Sequence, residues 1–219
     1  SGGARPKILT EIDGEDWIIK FPTYVDERDA GMIEYQYLIC AGKCGINMPQ
    51  TRLFHSDKCQ GYFGVKRFDR KKENNETKKI HMLTAAALLE IYFNQPCMDY
   101  NDLMKLTKIL TNNNWDDIDN MYRRMCFNVY AHNRDDHAKN FTYIYDEENE
   151  TWRLSPAYDL TYSNTYYGEH TTTVAGNGRN PGIKELTEVG VNAGLKKQYC
   201  EEVAGEIRGL VEDMLNNYI

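Results

Sequence analysis

His132-Asn133-Arg134-Asp135-Asp136-His137-Ala138-Lys139-Asn140 decides how the rest of the chain is read. Nine residues bring acidic, basic, imidazole and amide groups into one loop, which an ordinary solvated turn does not require. The apolar spacing over 115–132 predicts a helix before it, and 141–155 (FTYIYDEENETWRLS) predicts a hairpin with an acidic turn after it. Asp135 and Asn140 are separated by four residues. The hairpin then runs into Pro156-Ala157-Tyr158-Asp159, which delivers a second acid.

That order has a chemical logic. An Asp followed after four residues by an Asn is the spacing of a protein kinase catalytic loop. The Asp accepts or orients the proton of an attacking hydroxyl. The Asn offers a neutral oxygen to magnesium, which prefers hard oxygen ligands. Asp159, at the end of the hairpin, is placed to supply the charged metal ligand, with Tyr158 as an apolar anchor before it. Asp135 is thus the candidate catalytic residue, with Asn140 and Asp159 the candidate metal ligands.

The first third supplies compatible parts. Residues 7–21 predict two strands around the turn Asp13-Gly14, and 29–44 space apolar groups as a helix. Residues 51–55 and 61–68 predict two more strands. Lys20 is a cation on the otherwise apolar strand Trp17–Phe21, and Glu34 on the following helix is its natural partner. Gly2, Gly3 and Ala4 are small enough to bring backbone amides close to phosphates. Phe63–Arg70 ends a strand where two lobes would join, so backbone groups there suit an adenine edge, with Phe68 against the ring. Residues 71–79 read as a polar, lysine-rich loop, and 82–94, 99–111 and 196–217 as helices. A strand-rich 1–70 is therefore expected to precede a helical 71–219, with a cleft between.

Composition narrows the class. Among 219 residues, 41% are hydrophobic and 27% charged, as in ordinary globular chains. No run approaches the ~18 apolar residues of a membrane span, and the net charge of -7 disfavours a general nucleic-acid or membrane-surface binder. Six cysteines without a C-x-x-C pair suggest reduced thiols and a cytoplasmic setting.

Taken together, SGGARPK (1–7), IIKFP (18–22), VKRFDR (65–70), HNRDDHAKNF (132–141) and LSPAYDLT (154–161) resemble the HipA family of bacterial serine/threonine kinases, in matching order along nearly the whole chain. The resemblance implies an α+β, atypical protein-kinase-like fold: a small strand-rich N-lobe, a helical C-lobe and an ATP cleft between them. It implies ATP and Mg2+ as cofactors, with Lys20 as the nucleotide-phosphate lysine, Lys66 and Phe68 at the hinge, and His137 near the transferring phosphoryl group. It further implies a toxin that phosphorylates a protein such as an aminoacyl-tRNA synthetase. A helix-turn-helix antitoxin would bind it and link it to DNA only indirectly. Family members carry further residues before the glycine-rich loop, so either a separate small protein supplies that subdomain as a partner or the chain is cut down to its kinase core. The resemblance also places Ser1 at or beside an autophosphorylated serine.

Three alternatives use the same residues differently. A small-molecule phosphotransferase shares the H-x-x-D-x-x-x-x-N logic. A pseudokinase would bind an antitoxin or nucleotide without catalysis. A metal-dependent hydrolase would recruit His132, Asp136 and His137, which lack the i, i+4 spacing of a zinc pair.

Overall fold

A computed structural model describes residues 5–23, 29–74, 76–91, 98–165 and 168–219. The strand-rich part begins with β1 (Lys7–Ile12) and β2 (Glu15–Lys20), followed by helix α1 (Ala30–Lys43), β3 (Thr51–Phe54) and β4 (Tyr62–Lys66). The four strands form one antiparallel sheet in the order β1-β2-β4-β3. Asp13 (φ 54°) and Gly14 (φ 78°) turn the first hairpin. Positive φ at both loop residues matches the twist of the flanking strands.

Helix α1 lies against β3 and β4 and also touches the last helix. Its close approach depends on Gly31, where a Cβ would come within 2.4 Å of the Gly61 carbonyl oxygen. Glu34 is one turn further along, so this contact sets the depth at which its carboxylate enters the interior.

Residues 71–79 are not a loop. They form a charged hairpin, β5 (Arg70–Glu73) and β6 (Glu76–Lys79), turned at Asn74 with φ 50°. The hairpin has no apolar alternation. Its lysines reach acids elsewhere instead: Lys72 to Glu11 at 2.8 Å, Lys71 to Glu148 at 3.3 Å, and Lys78 to Glu147. The helix expected over 82–94 is also corrected. Met82–Thr84 is strand β7, paired with the later hairpin, and only Ala85–Leu88 (α2) is helical; 92–97 lie outside the described residues. Thr84 caps that turn, accepting the Ala87 N–H at 3.2 Å.

The remainder is helical, as the sequence predicts, with β8 (Met98–Asp99), α3 (Tyr100–Leu110) and α4 (Trp115–Tyr130) in turn. Asp99 and Asp102 cap α3 reciprocally, and Asn114 caps α4. A single 3-10 turn (Ala138–Asn140) leads into the hairpin β9 (Thr142–Asp146) and β10 (Thr151–Leu154), and β7-β9-β10 make a three-stranded sheet. β8 escapes the sequence pattern, as do β11 (Thr172–Thr173), parallel to it, and α5 (Ile183–Asn192). Helix α6 (Lys197–Leu215) closes the chain and packs on α1, α4 and α5. The core runs continuously from Tyr37, Leu38 and Phe63 through Leu103, Met121 and Phe127 to Val203 and Val211. Among the described residues, no helix is long and apolar enough to cross a membrane.

Candidate active site

Lys20 ends β2 and projects toward α1 and the segment after β10. Its Nζ donates to Glu34 Oε1 at 2.6 Å and also to Asp159 Oδ1. Three charges from three elements, up to 139 positions apart, thereby meet at one ammonium. Glu34 is buried, and Arg5 approaches its other oxygen at 3.7 Å.

The electrostatics follow from two carboxylates sharing one cation. Burial alone would lower the Lys20 pKa, but Glu34 and Asp159 outweigh it and leave it raised. Burial raises the Glu34 pKa more than Lys20 pulls it down. Asp159 goes the other way: burial opposes its ionisation, yet Lys20 prevails and its pKa is lowered. Asp159 adopts φ 53°, a left-handed conformation that is uncommon away from glycine.

Opposite Lys20 sits the loop between α4 and β9. Asn140 donates its Nδ2–H to the Asp135 carbonyl at 2.8 Å, leaving its Oδ1 without a protein donor among the described residues. That oxygen and the Asp159 carboxylate are hard donors of the kind magnesium takes, with water and phosphate completing the shell. The residues present therefore fit a magnesium–nucleotide site. Asp135 is more than half exposed, and His137 Nε2 lies 3.8 Å from its Oδ1. Burial raises the Asp135 pKa; His137 offsets this in part, while Asp136 and Asp159 add to it. Asp135, His137 and Asp159 thus share one electrostatic neighbourhood.

The segment Ser155–Asp159 is fixed from below. Buried Arg124 on α4 donates to the Ser155 carbonyl and to Asn120 Oδ1. The Ala157 N–H bonds to Asn47 O at 2.8 Å. The Tyr158 hydroxyl donates to Lys139 O at 2.6 Å, tying Ser155–Asp159 to the loop between α4 and β9. The Tyr158 ring meets Phe68 at a centroid distance of 5.8 Å.

At the end of β4, the Lys66 N–H goes to Gln50 O and the Arg67 N–H to Asp16 O. The Phe68 N–H has no backbone partner among the described residues. The Lys66 side chain pairs with Glu15 at 2.8 Å, across the sheet. Gly2, Gly3 and Ala4 lie outside the described residues. The hydrolase triplet does not assemble. Asp136 is committed to internal hydrogen bonds, and His132 lies by Tyr162, ring centroids 6.5 Å apart. The residues that the sequence reading missed are those around Asp136, namely Tyr100, His170 and Thr172. The doubled acid Asp135-Asp136 was the available signal for them.

Comparison with known proteins bears on the family and the fold. The family described as HipA-like C-terminal domain matches residues 1–215. A Sinorhizobium fredii relative named "Putative kinase Y4dM" is 26% identical over 187 residues, 78% of this chain and 44% of its own length. The chain thus spans less than half of that curated relative. Shewanella oneidensis HipA, solved with HipB and operator DNA, superposes with a TM-score of 0.76 at 16% identity, over 98% of this chain and 58% of that one. The Helicobacter pylori proinflammatory kinase CtkA gives 0.60 at 12% identity, over 99% and 92%. The fold is thus that of HipA and CtkA, a kinase-like α+β architecture with a strand-rich N-terminal part and a helical C-terminal part, and the chain belongs to the HipA-like C-terminal domain family.

Proposed function

We propose that this chain is a Mg-ATP-dependent protein kinase core of the HipA type, transferring a γ-phosphoryl group to a serine or threonine hydroxyl. The observation that carries the reading is Lys20 held between Glu34 and Asp159, facing a loop whose Asn140 turns an uncommitted oxygen toward solvent. Mg-ATP, when bound, would supply the phosphoryl group, and its magnesium would offset the charge developing there. Lys20, kept in place by Glu34, would hold nucleotide phosphates, and Asn140 Oδ1 with the Asp159 carboxylate would hold metal. Asp135, exposed and with a raised pKa, orients the incoming hydroxyl and accepts its proton. Phe68, resting on Tyr158, lines the hinge, where its N–H is available to an adenine edge. Most of the rate enhancement on this reading is positioning and charge stabilisation.

Cellular role follows by analogy. The Shewanella relative was solved with HipB and operator DNA. On this reading the chain acts as the toxin of such a pair, restrained by a helix-turn-helix antitoxin that carries the contact with DNA. Its protein target would be a translation-related protein such as an aminoacyl-tRNA synthetase, in the cytoplasm.

Transfer of label from γ-labelled Mg-ATP onto the chain itself or onto cell-extract protein tests the reading. Wild type should incorporate label far faster than Asp135→Asn or Asp159→Ala. Wild-type incorporation no higher than either variant's refutes catalysis, and ATP binding that persists in that case identifies a pseudokinase. Label found only in small molecules identifies a phosphotransferase of another class.

A further inference from the structure

Asp136 stands next to Asp135 but has the opposite environment: its side chain is 0% exposed, against 59% for Asp135. A carboxylate withdrawn from water must be given donors. Asp136 Oδ2 accepts the Tyr100 O–H at 2.9 Å and His170 Nδ1–H at 2.9 Å, and Oδ1 accepts the Thr172 N–H at 3.1 Å. Because the carboxylate carries no proton to give, the imidazole Nδ1 is the donor. The Asp136 carbonyl accepts the Thr172 hydroxyl as well.

Behind Tyr100 the bonds continue in one direction. Its oxygen accepts Asn128 Nδ2–H at 2.9 Å, and Asn128 Oδ1 accepts Asn133 Nδ2–H at 2.9 Å. Asn133 belongs to the catalytic loop, so the chain of bonds leaves the loop, crosses α4 and α3, and returns to it. The backbone is held in the same way. Ser163 pairs with His132 and Arg134 on one side, and the Thr171 N–H reaches Arg134 O on the other. The catalytic loop is therefore clamped between the outgoing and returning limbs of the segment that follows Asp159.

We propose that Asp136 and His170 form a buried pin that positions Asp135, with the returning segment 168–174 and the catalytic loop held as one unit. Asp136 acts through the backbone that it shares with Asp135; it is a positioning residue and touches no reacting atom. The inference rests on the phosphoryl-transfer reading for its kinetic consequence but not for its structural one. Removing the pin frees Asp135 to wander from the incoming hydroxyl while leaving Lys20, Glu34 and Asp159 as they are.

The test uses Asp136→Ala, His170→Ala and His170→Asn in the full chain. Asparagine places an amide N–H near the position of Nδ1 and can restore the bond to Asp136. Both alanine variants should lose kcat on the order of 10²-fold, the scale of a misplaced catalytic group. The Kd for ADP without magnesium should stay within about twofold, because Lys20 and Phe68 lie outside the loosened loop. His170→Asn should recover about tenfold of the loss. Amide exchange should accelerate over 134–140 and 168–174 in the alanine variants and stay unchanged in α4 and α6.

Unchanged kcat, a parallel loss of nucleotide affinity, or His170→Asn no better than His170→Ala overturns the pin. If Asp136→Ala does not fold, the two His170 variants decide. If the wild type transfers no phosphate, the kinase reading fails alone. Exchange over 134–140 then still decides the pin, and unaltered protection in the variants refutes it.

Discussion

Replacing Lys20 with Met removes the one ammonium shared by Glu34 and Asp159 while keeping most of the side-chain volume. Its consequences are unequal. Asp159 is 43% exposed, and water replaces much of what it loses. The Glu34 side chain is 3% exposed, and Arg5 at 3.7 Å is a distant substitute. Breaking a buried pair costs about 3–5 kcal/mol, because the surviving charge stays desolvated. Glu34 can limit that cost by taking up a proton, since its pKa is already raised by burial. The sign follows from linkage. A carboxyl with a raised folded pKa binds more protons folded than unfolded, so its stability is full below the unfolded value of about 4.3 and declines as pH rises toward the folded value. The decline is about 1.4 kcal/mol per pH unit. The variant should therefore lose less at pH 5.5 than near pH 8, where it should approach the full loss of about 3–5 kcal/mol. For a chain of this size that is roughly 6–20 °C in Tm at the higher pH. Thermal unfolding of wild type and Lys20→Met across pH 5.5–8.5 measures the gap, which should widen with pH and narrow in Lys20→Met/Glu34→Gln. A gap independent of pH, or one that the second substitution does not reduce, refutes the reasoning.

Three further outcomes follow from the same structure. The acid limb of the kcat–pH profile should lie above the ordinary Asp value of about 3.9, because the Asp135 pKa is raised, and it should vanish in the residual activity of Asp135→Asn. Gly31→Ala should drive α1 off Gly61 O and with it Glu34 off Lys20; roughly 1–3 kcal/mol of stability and a measurable fraction of kcat should be lost together. Arg124→Leu should leave the Ser155 carbonyl unpaired beneath the metal-acid segment, costing about 1–3 kcal/mol in denaturant unfolding. Burial holds the Arg124 pKa at about 10, still well above neutral pH, so this loss should not vary between pH 6 and 8.

The sequence by itself determined the main helices, the first hairpin, the hairpin before Asp159, and the order Lys20, Glu34, Asp135, Asn140, Asp159. These are legible because apolar periodicity and turn residues act over a few positions, and because the Asp135–Asn140 spacing lies within one loop. What failed was local signal without periodicity. The hairpin of 70–79 is held by ion pairs to Glu11, Glu147 and Glu148, and Met82–Thr84 is a strand only because β9 offers it an edge. The tertiary structure alone decided that Lys20 and Asp159 meet across 139 positions, and that Asp135 and Asp136, adjacent and chemically identical, face different surroundings. The reason is dielectric and geometric. A carboxylate's behaviour is set by its exposure and donors, and for Asp136 those come from Tyr100, His170 and Thr172, more than thirty positions away, brought to it only by folding.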